Sequence, residues 1–172
     1  MPSRIVDGLR QAILQLGRWD GSLYALSRAI ARVTKGRITL RKYYFFAQPV
    51  ADKPLLAAHK GKTIEVFAVD QQHPLVHVFP RPPTVIARRF CAGAVCFSAT
   101  KNDSFVGFLW LQPTTYVEDE VRARFTPLPQ ARSIWDFDVH LEEAHRGSLA
   151  FARMWDKANE FLRNRPCGVP RP

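Results

Sequence analysis

The reactive side chains of this sequence gather in one stretch: Asp136, Asp138 and His140 at alternate positions, then LEEAHRGS over 141–148. Strict alternation from Ile134 sends Trp135, Phe137, Val139 and Leu141 to one face of a predicted strand. Asp136, Asp138 and His140 fall on the other, so one face is oily and its opposite carries two carboxylates. Beyond the turn, Phe151, Met154, Trp155, Ala158, Phe161 and Leu162 recur at spacings of three and four. That pattern predicts an amphipathic helix with its first turn near Arg146 to Leu149, and with Arg153, Lys157, Glu160 and Arg163 left for water. A strand that ends at a helix N-terminus leaves backbone N–H groups unpaired at the positive end of the helix dipole, which makes a seat for phosphate. Upstream, Glu118, Asp119 and Glu120 crowd three like charges. Partly buried, they would raise a neighbouring carboxyl toward useful pKa values; exposed, they are a solvated loop.

Other elements must hold that stretch in place. TIEVFAVD over 63–70 suits a strand, and PTVIARRFC over 83–91 suits a helix started by proline and closed by Gly93. AVCFSAT over 94–100 and FVGFLWL over 105–111 read as two strands around Lys101-Asn102-Asp103-Ser104, a polar turn of hairpin length. The resulting order is strand, helix, hairpin, strand, helix.

In this order of elements, and in the Arg-Gly pair that follows LEEAH, residues 63 to 165 resemble the GNAT superfamily of acyl-CoA-dependent N-acyltransferases. Their fourth strand runs into a loop with the pattern Gln/Arg-x-x-Gly-x-Gly/Ala and then into a long helix. Here Arg146 takes the first position, Gly147, Ser148 and Ala150 keep the stretch small, and the pattern's glycines fall at Leu149 and Phe151. The resemblance implies an α+β fold: a mixed, mostly antiparallel sheet flanked by helices. It also implies acyl transfer from acetyl-CoA or a longer acyl-CoA to an amine, by direct attack without a covalent enzyme intermediate. Leu141, Arg146, Gly147, Ser148, Leu149 and Ala150 would hold the coenzyme. Such chemistry needs a carboxylate to take the amine proton and a donor for the thioester carbonyl. Asp136, Asp138 and Glu118 are the candidates for the first role, Asp136 foremost; alternatively the two aspartates cap a turn or pair with Arg122 or Arg124. No residue is assigned as general acid, and the acceptor and acyl length are not legible.

The family core continues past its coenzyme helix, whereas here only PCGVPRP follows Arg165. Three prolines exclude a paired central strand from that tail. The sequence therefore predicts a core incomplete at its C-terminal end, a sheet completed by a partner chain such as a second copy, or a different fold sharing only the strand-turn-helix. An uncovered strand over 134–141 would be adhesive, so poor solubility or dimerisation is expected.

Composition bounds the rest. In 172 residues, 47% hydrophobic content excludes wholesale disorder and suits one substantial core. Cys91, Cys96 and Cys167 have no metal-ligand spacing, and their odd count favours a reducing compartment over a disulfide scaffold. Cys91 and Cys96 read as small packing residues. The five histidines form no metal constellation, since Pro74 spoils the spacing of His73 and His77, so no metal is expected. His145 either touches a phosphate or is a turn histidine in water. No run of about eighteen apolar residues and no secretory leader is read, which predicts a cytoplasmic protein.

Charge is lopsided. Residues 1–62 carry 12 Lys or Arg against 3 Asp or Glu, while residues 63–172 carry 13 against 12. Two helices are predicted in the basic part. The first runs from Arg4 to Leu16, with Ile5, Leu9, Ile13 and Leu16 on one stripe and Gly17 as its stop. The second runs from Ser22 to Lys35, with Leu23, Leu26, Ile30 and Val33 facing away from Arg28, Arg32 and Lys35. The strand-like ITLRKYYFFAQPV follows. The expected organisation is a basic helical extension with a strand over 1–48, a linker over 49–62, and the acyltransferase-like core over 63–172. The basic extension either packs with its cations in water, lies peripherally on an anionic membrane through residues 1–42, or contacts nucleic acid, for which no motif is present. A function of another class is thereby open: a non-catalytic basic module that docks on a membrane or a protein partner.

Overall fold

Asn102 and Asp103 both adopt positive φ, 50° and 60°, the signature of a two-residue turn whose twist matches that of the strands it joins. Around this turn, in a computed structural model that describes residues 3–118, 123–129 and 132–164, β2 (Val95–Lys101) and β3 (Ser104–Gln112) form a hairpin. Both strands are apolar on both faces and buried nearly throughout, so they form the middle of a sheet. β1 (Ile64–Val69) pairs with β2, and β6 (Trp135–Leu141) pairs with β3, all antiparallel, in the order β1-β2-β3-β6. A separate two-strand ladder joins β4 (Tyr116–Val117) to β5 (Arg124–Phe125), a pairing absent from the sequence reading.

Each face of the sheet has its own core. On one side lies α2 (Pro83–Cys91) with the 3₁₀ turn Pro74–Val78. There Phe79, Ile86, Cys96, Phe108 and Trp110 are buried together. Proline at its first position starts α2, and its end is closed by Gly93 at φ 79°, with the Ala94 N–H reaching back to the Arg89 carbonyl. On the other side α3 (Ala150–Arg163) packs Ala150, Met154 and Ala158 on Phe97, Val106, Leu109 and Leu111. Burying each large side chain contributes about 1.5–3 kcal/mol, and that sum fixes where α2 and α3 sit. The class is thus α+β: the described residues hold three α-helices and an antiparallel four-stranded sheet.

The chain divides into two units, Met1–Gln48 and Pro49–Pro172. In the first, α1 (Ser3–Val33) is broken at Gly17, whose φ of 83° and ψ of 167° lie outside helical space. Two helical segments therefore meet at the expected glycine. The second ends where Gly36 N–H bonds the Ala31 carbonyl. Residues 37–50 form no strand, contrary to expectation: β-branched and aromatic composition makes a strand only where a partner ladder exists. Instead Ser27 Oγ donates to the Leu40 carbonyl, and Asp20 accepts from Lys42 and from Tyr44 Oη. Those two bonds hold the Asp20 carboxyl below its usual range.

Two further expectations are corrected within the second unit. Residues 49–62 are no free linker, because polar side chains of α3 bind their backbone. Asp156 accepts from the amides of Leu55 and Leu56, Arg163 donates to the Ala51 carbonyl, and Arg153 Nε to that of Gly61. Arg153 and Arg163 are thus not simply left for water. Second, α3 starts a turn later than its apolar spacing suggested, since Gly147 at φ 76° cannot belong to a right-handed helix and a 3₁₀ turn, Glu143–His145, precedes it. Among the described residues no helix is long and apolar enough to cross a membrane. The tail 165–172 and residues 119–122 lie outside the described residues, and with them Cys167, Asp119, Glu120 and Arg122.

Candidate functional site

The junction of β6 with α3 is built by backbone geometry. Glu142 N–H closes onto the Val106 carbonyl of β3 and ends the ladder. His145 N–H bonds Glu142 O at 2.8 Å, Arg146 N–H bonds Glu143 O at 3.2 Å, and Ser148 N–H bonds His145 O at 3.2 Å. Ser148 Oγ then caps α3 by accepting from Ala150 N–H at 3.2 Å. The expected row of open amides is therefore only half open: those of Arg146, Ser148 and Ala150 are committed within the protein. Among the described residues the amides of Gly147, Leu149, Phe151 and Ala152 have no acceptor.

A Cβ built on Gly147 would meet nothing within 4 Å beyond its chain neighbours. Leu149 and Phe151 are exposed, and Phe151 turns edge-on toward Trp155 along the helix. Neither bulky residue plugs the loop. Arg146 folds back so that Nε donates to the Leu141 carbonyl at 3.3 Å, which pins an exposed guanidinium across the turn. Leu141 is half-buried on the α3 side, and Ala150 is fully buried beneath the loop. His145 bonds through its backbone and is partly buried. The arrangement combines four unclaimed amides, one cation and a helix N-terminus, which suits a phosphate-bearing ligand.

The carboxylates are arranged differently from the sequence expectation. Leu111 pairs with Asp136 and Trp110 with Asp138, so Phe137 is an extra residue on β6, a bulge. Residues paired across a ladder share a face. Asp136 therefore lies on the α3 side with Leu111, and Asp138 on the α2 side with Trp110. The predicted common face of Asp136, Asp138 and His140 does not exist, since the bulge resets the alternation after Asp136. Asp136 is exposed at the sheet edge, with no hydrogen-bond or ion-pair partner among the described residues.

Asp138 is a structural counter-ion. It accepts from Arg81 Nε and Nη2 at 2.8 and 2.7 Å and from Arg89 Nη1 at 2.7 Å, with its side chain 10% exposed. Burial opposes its ionisation, but the hydrogen bonds and charges of Arg81 and Arg89 outweigh burial and hold the carboxyl below its ordinary value. A carboxylate so stabilised is a poor base, which corrects the role expected of Asp138. Among the described residues its partners are Arg81 and Arg89, and not Arg124; Arg122 lies outside the described residues. Neither Arg81 nor Arg89 belongs to a motif legible in the sequence. The available signal was Arg89 on the same helical stripe as buried Ile86.

Glu118 sits on the α2 side. It joins Arg88, Gln112, Tyr116 and Phe137 in lining a cleft of about 380 Å³, where Tyr116 stacks on Phe137 at 4.3 Å. The structure thus separates Glu118 and Asp138 from Asp136 by the thickness of the sheet. His140 stacks beside Phe105 and Phe108 and contacts Glu142 at 3.2 Å. Burial pushes the Cys96 thiol up, so it stays protonated as a packing residue. Among the described residues no three His, Cys, Asp or Glu side chains converge on a metal position.

The fold and site together define an α+β protein whose edge strand ends in a loop with four amides that lack a protein acceptor among the described residues. No protein-family model, curated protein or solved structure matches the chain.

Proposed function

We propose that this chain is a GNAT-type N-acyltransferase core, which moves an acyl group from acetyl-CoA or a longer acyl-CoA to an amine. The observation that carries the reading is the loop after β6, where an exposed Arg146 and the amides of Gly147, Leu149, Phe151 and Ala152, which have no acceptor among the described residues, stand at the start of α3. Support comes also from the order strand, helix, hairpin, strand, helix, with the four strands adjacent and antiparallel.

In this reading the pyrophosphate of the coenzyme sits on those amides, with the dipole of α3 and Arg146 opposing its charge. The pantetheine arm runs back along the outer edge of β6. From Leu141 to Asp136 the strand spans about 17 Å, the length class of an extended pantetheine chain. The bulge at Phe137 breaks the ladder beside the reacting thioester and aims Asp136 away from the Arg81–Asp138–Arg89 cluster. Asp136 takes the proton of the attacking amine; nitrogen forms the new bond to the carbonyl carbon as the thiolate leaves.

Release of free coenzyme A thiol in the presence of a panel of primary amines tests the proposal. Asp136→Asn is expected to lower kcat by about 10²–10⁴-fold with little change in the KM for acyl-CoA. Equal turnover in wild type and variant would remove Asp136 from the mechanism.

A further inference from the structure

The basic unit contains an apolar seam that a water-facing helix does not need. Trp19, Leu26 and Val33 stand seven residues apart, two helical turns each, and so share one stripe of α1. They are 84%, 50% and 85% exposed. The stripe expected from sequence has split: Leu23 and Ile30 are half-buried beside Ser27 and Asp20, which bind residues 40–44, while Leu26 and Val33 face outward. Next along the chain, Tyr44, Phe45 and Phe46 are all exposed, Phe46 by 88%. Large apolar groups concentrated in this way mark an interaction surface.

Charge identifies the partner. Residues 17–48 hold seven Lys or Arg and one acid, Asp20. That acid is already engaged by Lys42 and Tyr44. Arg18 is exposed beside the seam, while Arg28, Arg32 and Lys35 are exposed elsewhere on the same unit and add to its positive field. We propose that this unit docks on a bilayer surface carrying anionic headgroups, with Trp19, Leu26, Val33 and Phe46 entering the headgroup boundary and the cations meeting the lipid phosphates. A fluid interface accommodates both a helix stripe and the irregular segment 43–46, which a partner helix does not. Exposed aliphatic Leu26 and Val33 gain nothing from nucleotide bases but partition into lipid. The inference is independent of the acyltransferase reading.

Co-sedimentation of the full chain with vesicles tests it, using phosphatidylcholine alone and phosphatidylcholine mixed with phosphatidylglycerol. Binding to the mixed vesicles is expected to exceed binding to neutral ones at least tenfold and to fall when salt rises from 50 to 500 mM. The seam variant Trp19→Ser/Leu26→Ser/Val33→Ser should lose at least tenfold in binding with its circular dichroism unchanged. Should that variant lose helix, Arg28→Glu/Arg32→Glu/Lys35→Glu, which leaves the seam intact, must show the same loss. Absence of vesicle binding, or equal binding to neutral and anionic vesicles, overturns the proposal. So does a stable oligomer in lipid-free buffer that shields Trp19 from quencher. Binding of a single-stranded oligonucleotide, abolished by the same variants in a chain that ignores vesicles, would reassign the surface to nucleic acid.

Discussion

Removing the carboxylate of Asp138 would leave Arg81 and Arg89 facing one another across a largely dry space, each stripped of its best acceptor. Breaking a buried pair in this way costs about 3–5 kcal/mol, so Asp138→Ala is expected to lower the urea midpoint sharply, and an unchanged midpoint would show that the cluster is not a structural tie. The pH dependence follows with a definite sign. Because the folded carboxyl titrates below its unfolded value, its contribution is complete above the unfolded pKa of about 3.9 and is lost as pH falls through the lower folded value. Stability measured between pH 6 and pH 3 should therefore drop in the wild type and drop less in Asp138→Asn. The sequence displayed Asp138 as half of a reactive pair with Asp136. It could not show the bulge at Phe137, since inserting one residue into a ladder leaves no mark on alternation except a reversal of faces. The Arg-Gly step at 146 and 147 marked the junction of strand and helix, but not that Gly147 is left-handed and stands before the helix rather than in its first turn.

The register of β3 against β6 depends on one close approach. A Cβ on Gly107 would stand 2.3 Å from the carbonyl oxygen of His140, so Gly107→Ala must push the edge strand outward. Its cost is expected at about 1–3 kcal/mol or more, seen as a lower thermal midpoint; a neutral substitution would contradict the observed pairing. Residues 49–62 respond to a different change. Asp156→Ala removes the acceptor shared by the Leu55 and Leu56 amides, and trypsin should then cut after Lys60 and Lys62 several-fold faster. An unaltered digestion rate would mean that those bonds do not hold the segment. Hydrophobic period predicted α3, whereas the proline start and Gly93 stop predicted α2, and the polar turn at 101–104 the central hairpin. Hydrophobic period gave no hint of the 49–62 attachment, because side-chain to backbone bonds from Asp156, Arg153 and Arg163 carry no periodicity, and it produced a strand over 38–50 where no ladder partner exists.

Across the molecule, the basic surface and the proposed coenzyme loop fall in separate units. The first carries nine Lys or Arg against two Asp, and the second holds the sheet, the bulged edge strand and the loop at Gly147. This division allows the two proposals to fail independently: vesicle binding probes residues 17–46, whereas coenzyme binding probes residues 141–152. The edge position of β6 links the second unit to the expectation of a partner along that strand, since an uncovered ladder invites pairing. Isothermal titration of the full chain with acetyl-CoA and with longer acyl-CoAs is the most direct test of the proposed coenzyme loop. One-site binding is expected, weakened about 10–100-fold by Arg146→Glu, in keeping with the loss of about 1.5–3 kcal/mol for a hydrogen bond to a charged group. Absence of heat with every thioester, or an affinity that Arg146→Glu leaves unchanged, would contradict the account.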